Sequence, residues 1–286
     1  MFNVPSFFGF RSGGYGIPLI GLLDLYPGAA GAYSLRGLSN SYVNGPTPYA
    51  CQVRNSSNAV ANIGFVFNSI TGECDLDTAA LLAHCGAGDG FVTELYDQSG
   101  NGRDVSQGTA LSQPKIVSSG SVIVNLNNLP TLEFDGIDDH LRYATVTLNQ
   151  PLTLFLVNKY INTSGFKYMV DLGGDRVLGF PNAAGTNGMF FGAGLNSTVS
   201  PNINNPQLWY ALANGLNSEL SINNETLITG NAGTRGATNI TIGCYGPSNA
   251  FFVNSFISEF IFYASDQSTN RTGIETNIND FYSIYP

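Results

Sequence analysis

The chain has 286 residues, with 34 glycines, 19 phenylalanines and 14 tyrosines, only 11% charged residues and a net charge of −9. That length holds one large β domain or two small ones, and so much aromatic side chain argues against a disordered polymer. An acidic chain lacks the basic face that nucleic acid requires and is poorly matched to anionic lipid, so neither nucleic acid nor membrane is an expected partner.

Residues 1–23 read as an apolar leader, with Phe2, Phe7, Phe8 and Phe10 set among glycines. Burying such side chains gains roughly 25 cal/mol per Å². They are therefore expected to form an anchor interface on a partner subunit or on the chain's own body. Residues 24–286 read as one domain, with no internal repeat and no linker. A short helix is expected over 30–38, strands over 49–54 and 58–67, and a helix over 75–84 capped by Asp75 or Asp77. No stretch is long and apolar enough to span a bilayer, and none makes a persuasive signal peptide. Cys51, Cys74, Cys85 and Cys244 have no CxxC spacing, and His84 and His140 lie far apart in sequence. A zinc site is therefore not expected, and the cysteines read as free buried thiols, with a Cys74–Cys85 bridge as the alternative.

Next comes Phe91-Val92-Thr93-Glu94-Leu95-Tyr96-Asp97-Gln98-Ser99-Gly100-Asn101-Gly102, a strand running into a tight turn. The block Tyr-Asp-Gln-Ser-Gly-Asn-Gly resembles the catalytic domain of B-type α-L-arabinofuranosidases. Asp24-Leu25-Tyr26, Ala32-Tyr33-Ser34-Leu35-Arg36 and Gln52-Val53-Arg54 fall in the order that resemblance expects. The same blocks look like domains of bacteriophage and environmental viral structural proteins. Further on, Thr131-Leu132-Glu133-Phe134-Asp135-Gly136-Ile137-Asp138-Asp139-His140-Leu141 alternates apolar and polar residues around Asp-Gly, the pattern of strand, turn and strand. It is similar to an early hairpin of laminin-G-like modules in the concanavalin A-like lectin and glucanase superfamily. These resemblances imply an all-β fold, a concanavalin A-like jelly-roll sandwich of two antiparallel sheets with a few short helices. The second half fits, with a run of strands out to 252–263 and a closing polar helix over 268–282.

Glycoside hydrolysis needs two carboxyl groups across the scissile bond. The resemblance places the family's nucleophilic Glu in a Met-Val-Asp-Met-Glu strand. The similar stretch here is Met169-Val170-Asp171-Leu172-Gly173-Gly174-Asp175, with glycine at the Glu position. The late turn expected to supply the acid, Gly243-Cys244-Tyr245-Gly246-Pro247-Ser248-Asn249, has no carboxylate. The family's adjacent Cys-Cys pair and its arabinose-binding domain find no counterpart either. Asp171 or Asp175 remains as a substitute carboxylate, with Glu259 or Asp266 as alternatives elsewhere in the chain, and no catalytic residue is assigned.

Two kinds of binding site remain. Tyr245, Asn249, Asn187 and Asn196, on expected loops, are candidates for stacking on sugar rings and pairing with their hydroxyls, although Asn in such loops also simply builds turns. Asp97, Asn101, Asp135 and Asp138 are candidates for calcium, the one cofactor the sequence suggests. The plainer reading of the Asp135–Asp139 cluster is a solvated turn whose carboxylates bond local amides. From the viral-type blocks, the leader and the missing carboxylates, the first expectation is a non-enzymatic virion structural protein, a capsid decoration, head fibre or tail component located in the virion. Its partners would be other virion proteins and copies of itself, with a trimer suiting such roles. The alternatives are a module binding cell-surface glycan, and an arabinofuranosidase-type glycoside hydrolase with altered catalytic residues.

Overall fold

The computed structural model describes residues 19–124, 127–174, 176–180, 186–200 and 202–286. Phe2, Phe7, Phe8 and Phe10 lie outside the described residues. The chain folds as an antiparallel β-sandwich with a few short helices.

In the back sheet, Ala29–Ser34 pairs with Asn254–Tyr263, and that long strand also pairs with Leu152–Tyr160 and Leu132–Asp135. Leu152–Tyr160 continues to Gln207–Ala213, then Ser218–Ile222 and Ile228–Gly230. The front sheet runs from Tyr49–Asn55 through Gly90–Leu95, Val105–Ser106, Leu141–Tyr143 and Ile240–Ile242 to Lys167–Asp171. Val177–Phe180, Gly188–Phe190 and Gly194–Asn196 extend it beyond Lys167–Asp171, and Val60–Phe67 pairs with Tyr49–Asn55 on the other side.

The two sheets read differently in sequence because they are covered differently. Leu152–Tyr160 is almost continuously apolar because it is buried on both faces. Leu154, Leu156, Trp209 and Phe260 point into the core between the sheets, where Val53, Val92, Leu141, Val170 and Ile242 meet them from the front sheet. Phe155, Val157, Tyr210 and Ile261 point the other way, onto a layer built by Leu22, Leu23, Ile274 and Ile278. Each such fully buried aliphatic side chain is worth about 1.5–3 kcal/mol over exposure. The front-sheet strands alternate instead, so their second face carries polar residues.

The closing helix is Arg271–Tyr282. A buried bidentate ion pair pins it to the back sheet. Arg36 Nε donates to Glu259 Oε2 at 2.8 Å and Arg36 Nη2 to Glu259 Oε1 at 3.1 Å. Arg36 Nη2 also reaches Asn277 Oδ1 at 3.0 Å, and the guanidinium lies 4.7 Å from the Phe281 ring centre. The helix Thr78–Cys85 is capped by Asp77, whose Oδ1 accepts from Ala80 N. All four cysteines are free and buried. Leu22 and Leu23, at the end of the expected leader, are packed into the body.

Two expectations change. Residues 30–38 are not a helix: Ala29–Ser34 is a fully buried strand beside the longest strand of the back sheet. Small residues suit that place because strand neighbours, not helix propensity, decide the backbone there. The 131–141 stretch is not a hairpin either. Leu132–Asp135 pairs within the back sheet and Leu141–Tyr143 within the front sheet, so the turn between them is a corner joining the layers.

Candidate functional site

Antiparallel register carries one row of side chains across the outer face of the front sheet. Gln52 lies opposite Glu94, Glu94 opposite Ser106, Ser106 opposite Arg142, Arg142 opposite Thr241, and Thr241 opposite Asp171. Directly opposed residues share a face. Their neighbours Leu95, Val105, Leu141, Ile242 and Val170 are buried in the core on the other face.

At one end of the row, Asp171 is fully buried. Its Oδ1 accepts from Gly173 N and Gly174 N at 3.0 Å each, and its Oδ2 from Gly246 N at 2.8 Å. Burial raises its pKa, against the opposing pull of these amides. Asp171 thus ties the turn after Lys167–Asp171 to the 243–250 turn. Arg142 holds that second turn from the row itself, through Gly246 O and Asn249 Oδ1 at 2.6 Å each and Thr241 Oγ1 at 3.1 Å. Asn239 Oδ1 is buried beside them with no hydrogen-bond partner. An aromatic wall stands beside the second turn, built from that turn and from the start of the strand Lys167–Asp171. Tyr168 lies 5.6 Å from Tyr245 and 5.1 Å from Phe251, and Phe166 lies 5.6 Å from Phe251. Phe251 is 44% exposed and Phe166 39%.

Towards the other end, Glu94 and Asp104 are half-buried on the same face. Burial raises the pKa of each, and the Asp104 charge adds to the effect on Glu94. Tyr49 and Tyr96 stand beside them with ring centres 6.0 Å apart, and the Tyr96 hydroxyl donates to Asn62 Oδ1 at 3.0 Å.

The expected site residues divide. Tyr245 and Asn249 lie in the 243–250 turn: Asn249 Oδ1 accepts from Arg142, and Tyr245 packs on Tyr168 and Phe251. Asn187 is fully buried rather than on a loop rim, bonded to the Tyr160 hydroxyl at 3.3 Å and to Gln207 Oε1 at 3.5 Å. Asn196 ends the strand Gly194–Asn196, opposite Gly188. Asp97 and Asn101 are spent on the backbone. Asp97 Oδ1 accepts from Ala32 N and Ser99 N, and Asn101 Nδ2 donates to Ala29 O. The Tyr-Asp-Gln-Ser-Gly-Asn-Gly block is therefore a clamp on the strand Ala29–Ser34. Asp135 and Asp138 gather with Asp139, their carboxylate oxygens within 4.8 Å of one another. Asp135 Oδ1 accepts from Ile137 N at 2.8 Å, and Asp139 Oδ2 from Asp135 N at 3.0 Å. Sequence reading passed over Arg142, Glu94 and Asp104, because only the pairing of distant strands lines them up.

No family model matches the chain, and no curated protein does. Solved structures do. A GH54 α-L-arabinofuranosidase soaked with a cyclic sulfate inhibitor matches with a TM-score of 0.67 at 15% identity, over 91% of this chain and 65% of its own. An arabinofuranosidase complexed with arabinofuranosyl-α-1,2-xylobiose matches with a TM-score of 0.66 at 17% identity, over 91% of this chain and 64% of its own. The chain thus spans less than two thirds of these enzymes, and at such identity the likeness is one of fold. It corrects the expectation of a non-enzymatic virion structural protein. These matched structures are arabinofuranosidases and not virion proteins.

Proposed function

We propose that the chain is a glycoside hydrolase of the arabinofuranosidase type, on a concanavalin A-like jelly roll, with catalytic carboxylates at altered positions. The observation that carries this is the fold likeness over 91% of the chain together with an outer sheet face that holds Glu94 and Asp104 towards one end and an aromatic wall at the other.

The family's nucleophile position is closed to any side chain here. Gly173 has φ +122°, and a Cβ added to it would lie 1.9 Å from Thr238 Oγ1. Glu94 and Asp104 are the pair we assign instead. Glu94 faces Ser106, so Asp104 is its diagonal neighbour across the two strands. Diagonal positions lie roughly 7–8 Å apart. Their carboxyl groups share one face of adjacent strands, and we assign them an inverting mechanism, in which a water lies between acid and base. Glu94, its proton held more tightly by burial and by the Asp104 charge, donates that proton to the glycosidic oxygen as the C–O bond breaks. Asp104 takes a proton from a water whose oxygen attacks the anomeric carbon from the opposite side. Asp171 is a positioning residue that holds the 243–250 turn beside the aromatic wall.

The test is hydrolysis of arabinofuranosyl-xylobiose by the full chain and by Glu94→Gln and Asp104→Asn. Loss of at least a hundredfold in kcat in each variant, with Tm unchanged, supports the assignment. Full activity in both variants removes it.

A further inference from the structure

We infer that the substrate is an extended oligosaccharide, lying across the front-sheet strands from the Tyr49–Tyr96 pair to the Phe166–Tyr168–Tyr245–Phe251 wall. This rests on the hydrolase reading above and names its substrate class.

The row from Glu94 to Asp171 crosses four strand spacings of about 4.8 Å each, so the assigned carboxyls and the wall stand roughly 19 Å apart. One sugar ring cannot touch both. Aromatic rings flank the row at both ends, with Tyr49 and Tyr96 at one and the wall at the other. Aromatic faces pack against the C–H faces of sugars. Along the row Ser106 is exposed and Gln52, Glu94 and Arg142 are half-buried, groups that match neutral hydroxyls rather than a charged polymer, while Thr241 and Asp171 are buried. Among the described residues no ion pair reaches Glu94 or Asp104; Asp104 Oδ1 accepts from Asp97 N at 2.8 Å, and Glu94 pairs with the Tyr96 hydroxyl. Phe251 and Phe166 keep their exposure although such rings lose free energy in water. The occupant is thus a neutral chain several rings long, held at the wall well away from the bond that breaks.

The experiment measures kcat/KM and, by calorimetry, Kd for ladders of xylo-, arabino- and gluco-oligosaccharides of two to six units, with the full chain and with Phe251→Ala and Phe166→Ala. Both side chains are surface-exposed, and unchanged Tm values would verify folding. The expected result is at least a tenfold gain from two units to six in one ladder, and loss of that gain in both variants. Equal kcat/KM and equal Kd at all lengths would overturn the inference while leaving hydrolysis of the shortest substrate intact. If no ladder is cleaved but binding still tightens with length through Phe251, the hydrolase reading fails and the extended site stands. A wall buried instead between two copies of the chain would appear as concentration-dependent sedimentation with no length dependence, which also overturns it.

Discussion

Gly173 and Thr238 approach so closely that a Cβ on the glycine would lie 1.9 Å from the threonine hydroxyl oxygen. The backbone at Gly173 is also in a region that side-chain-bearing residues avoid, with φ +122°. Restoring the family's glutamate at this position should therefore fail. Gly173→Glu is expected to lower Tm by several degrees without raising the rate on an arabinofuranoside. Thermal unfolding and an aryl-glycoside assay read both effects, and a gain in rate would contradict the assignment of the carboxyls elsewhere.

Asp171 should matter for the shape of the site more than for its charge. It accepts three backbone amides while fully buried. An asparagine there turns one acceptor into a donor facing N–H groups. Asp171→Asn is expected to cost about 1–3 kcal/mol, read by urea unfolding, and to weaken binding at the aromatic wall.

The Arg36–Glu259 pair should show the asymmetry of buried ion pairs. Glu259→Gln leaves a buried guanidinium without its counter-charge and is expected to cost about 3–5 kcal/mol. Replacing both residues, Arg36→Met with Glu259→Leu, is expected to cost less than either single change. Denaturant titration of the double-mutant cycle checks this.

Asp139 should make stability depend on pH. It sits buried at the sheet corner, and burial, then the charges of Asp135, Asp138 and Glu133, push its carboxyl up to about 7 from an ordinary 3.8. The folded state therefore holds the proton more tightly than the unfolded chain. That contribution is complete below about pH 4 and is lost as pH rises through about 7. Tm should fall over that window, and Asp139→Asn should flatten the fall. Calcium tests the cation proposal for Asp135 and Asp138 in the same assay. A bound ion would raise Tm at pH 8 in the parent chain and not in the Asp138→Asn variant.

Part of this was legible in the sequence. The β-sandwich, the Asp77-capped helix and the closing helix follow from local pattern and capping. The 131–141 stretch shows where local pattern stops: alternation tells which face of Leu132 and Phe134 is buried, but not that the two halves of the stretch join different sheets. That Tyr245 and Asn249 lie in a turn was legible, because Gly, Pro, Ser and Asn cluster around them. The row of Arg142, Glu94 and Asp104 was not, since a row across strands is set by pairings between segments as distant as Gly90–Leu95 and Ile240–Ile242. The virion reading rested on the viral-type blocks, the low charge, the apolar leader and the missing carboxylates, none of which reports the fold likeness that overturns it.

The most direct measurement is the rate of the full chain and of Glu94→Gln on arabinofuranosyl-xylobiose, followed by NMR to read the anomer released. The account predicts hydrolysis with inversion by the parent chain and at least a hundredfold lower kcat in the variant. Retention of configuration, or an equal rate in Glu94→Gln, would contradict it.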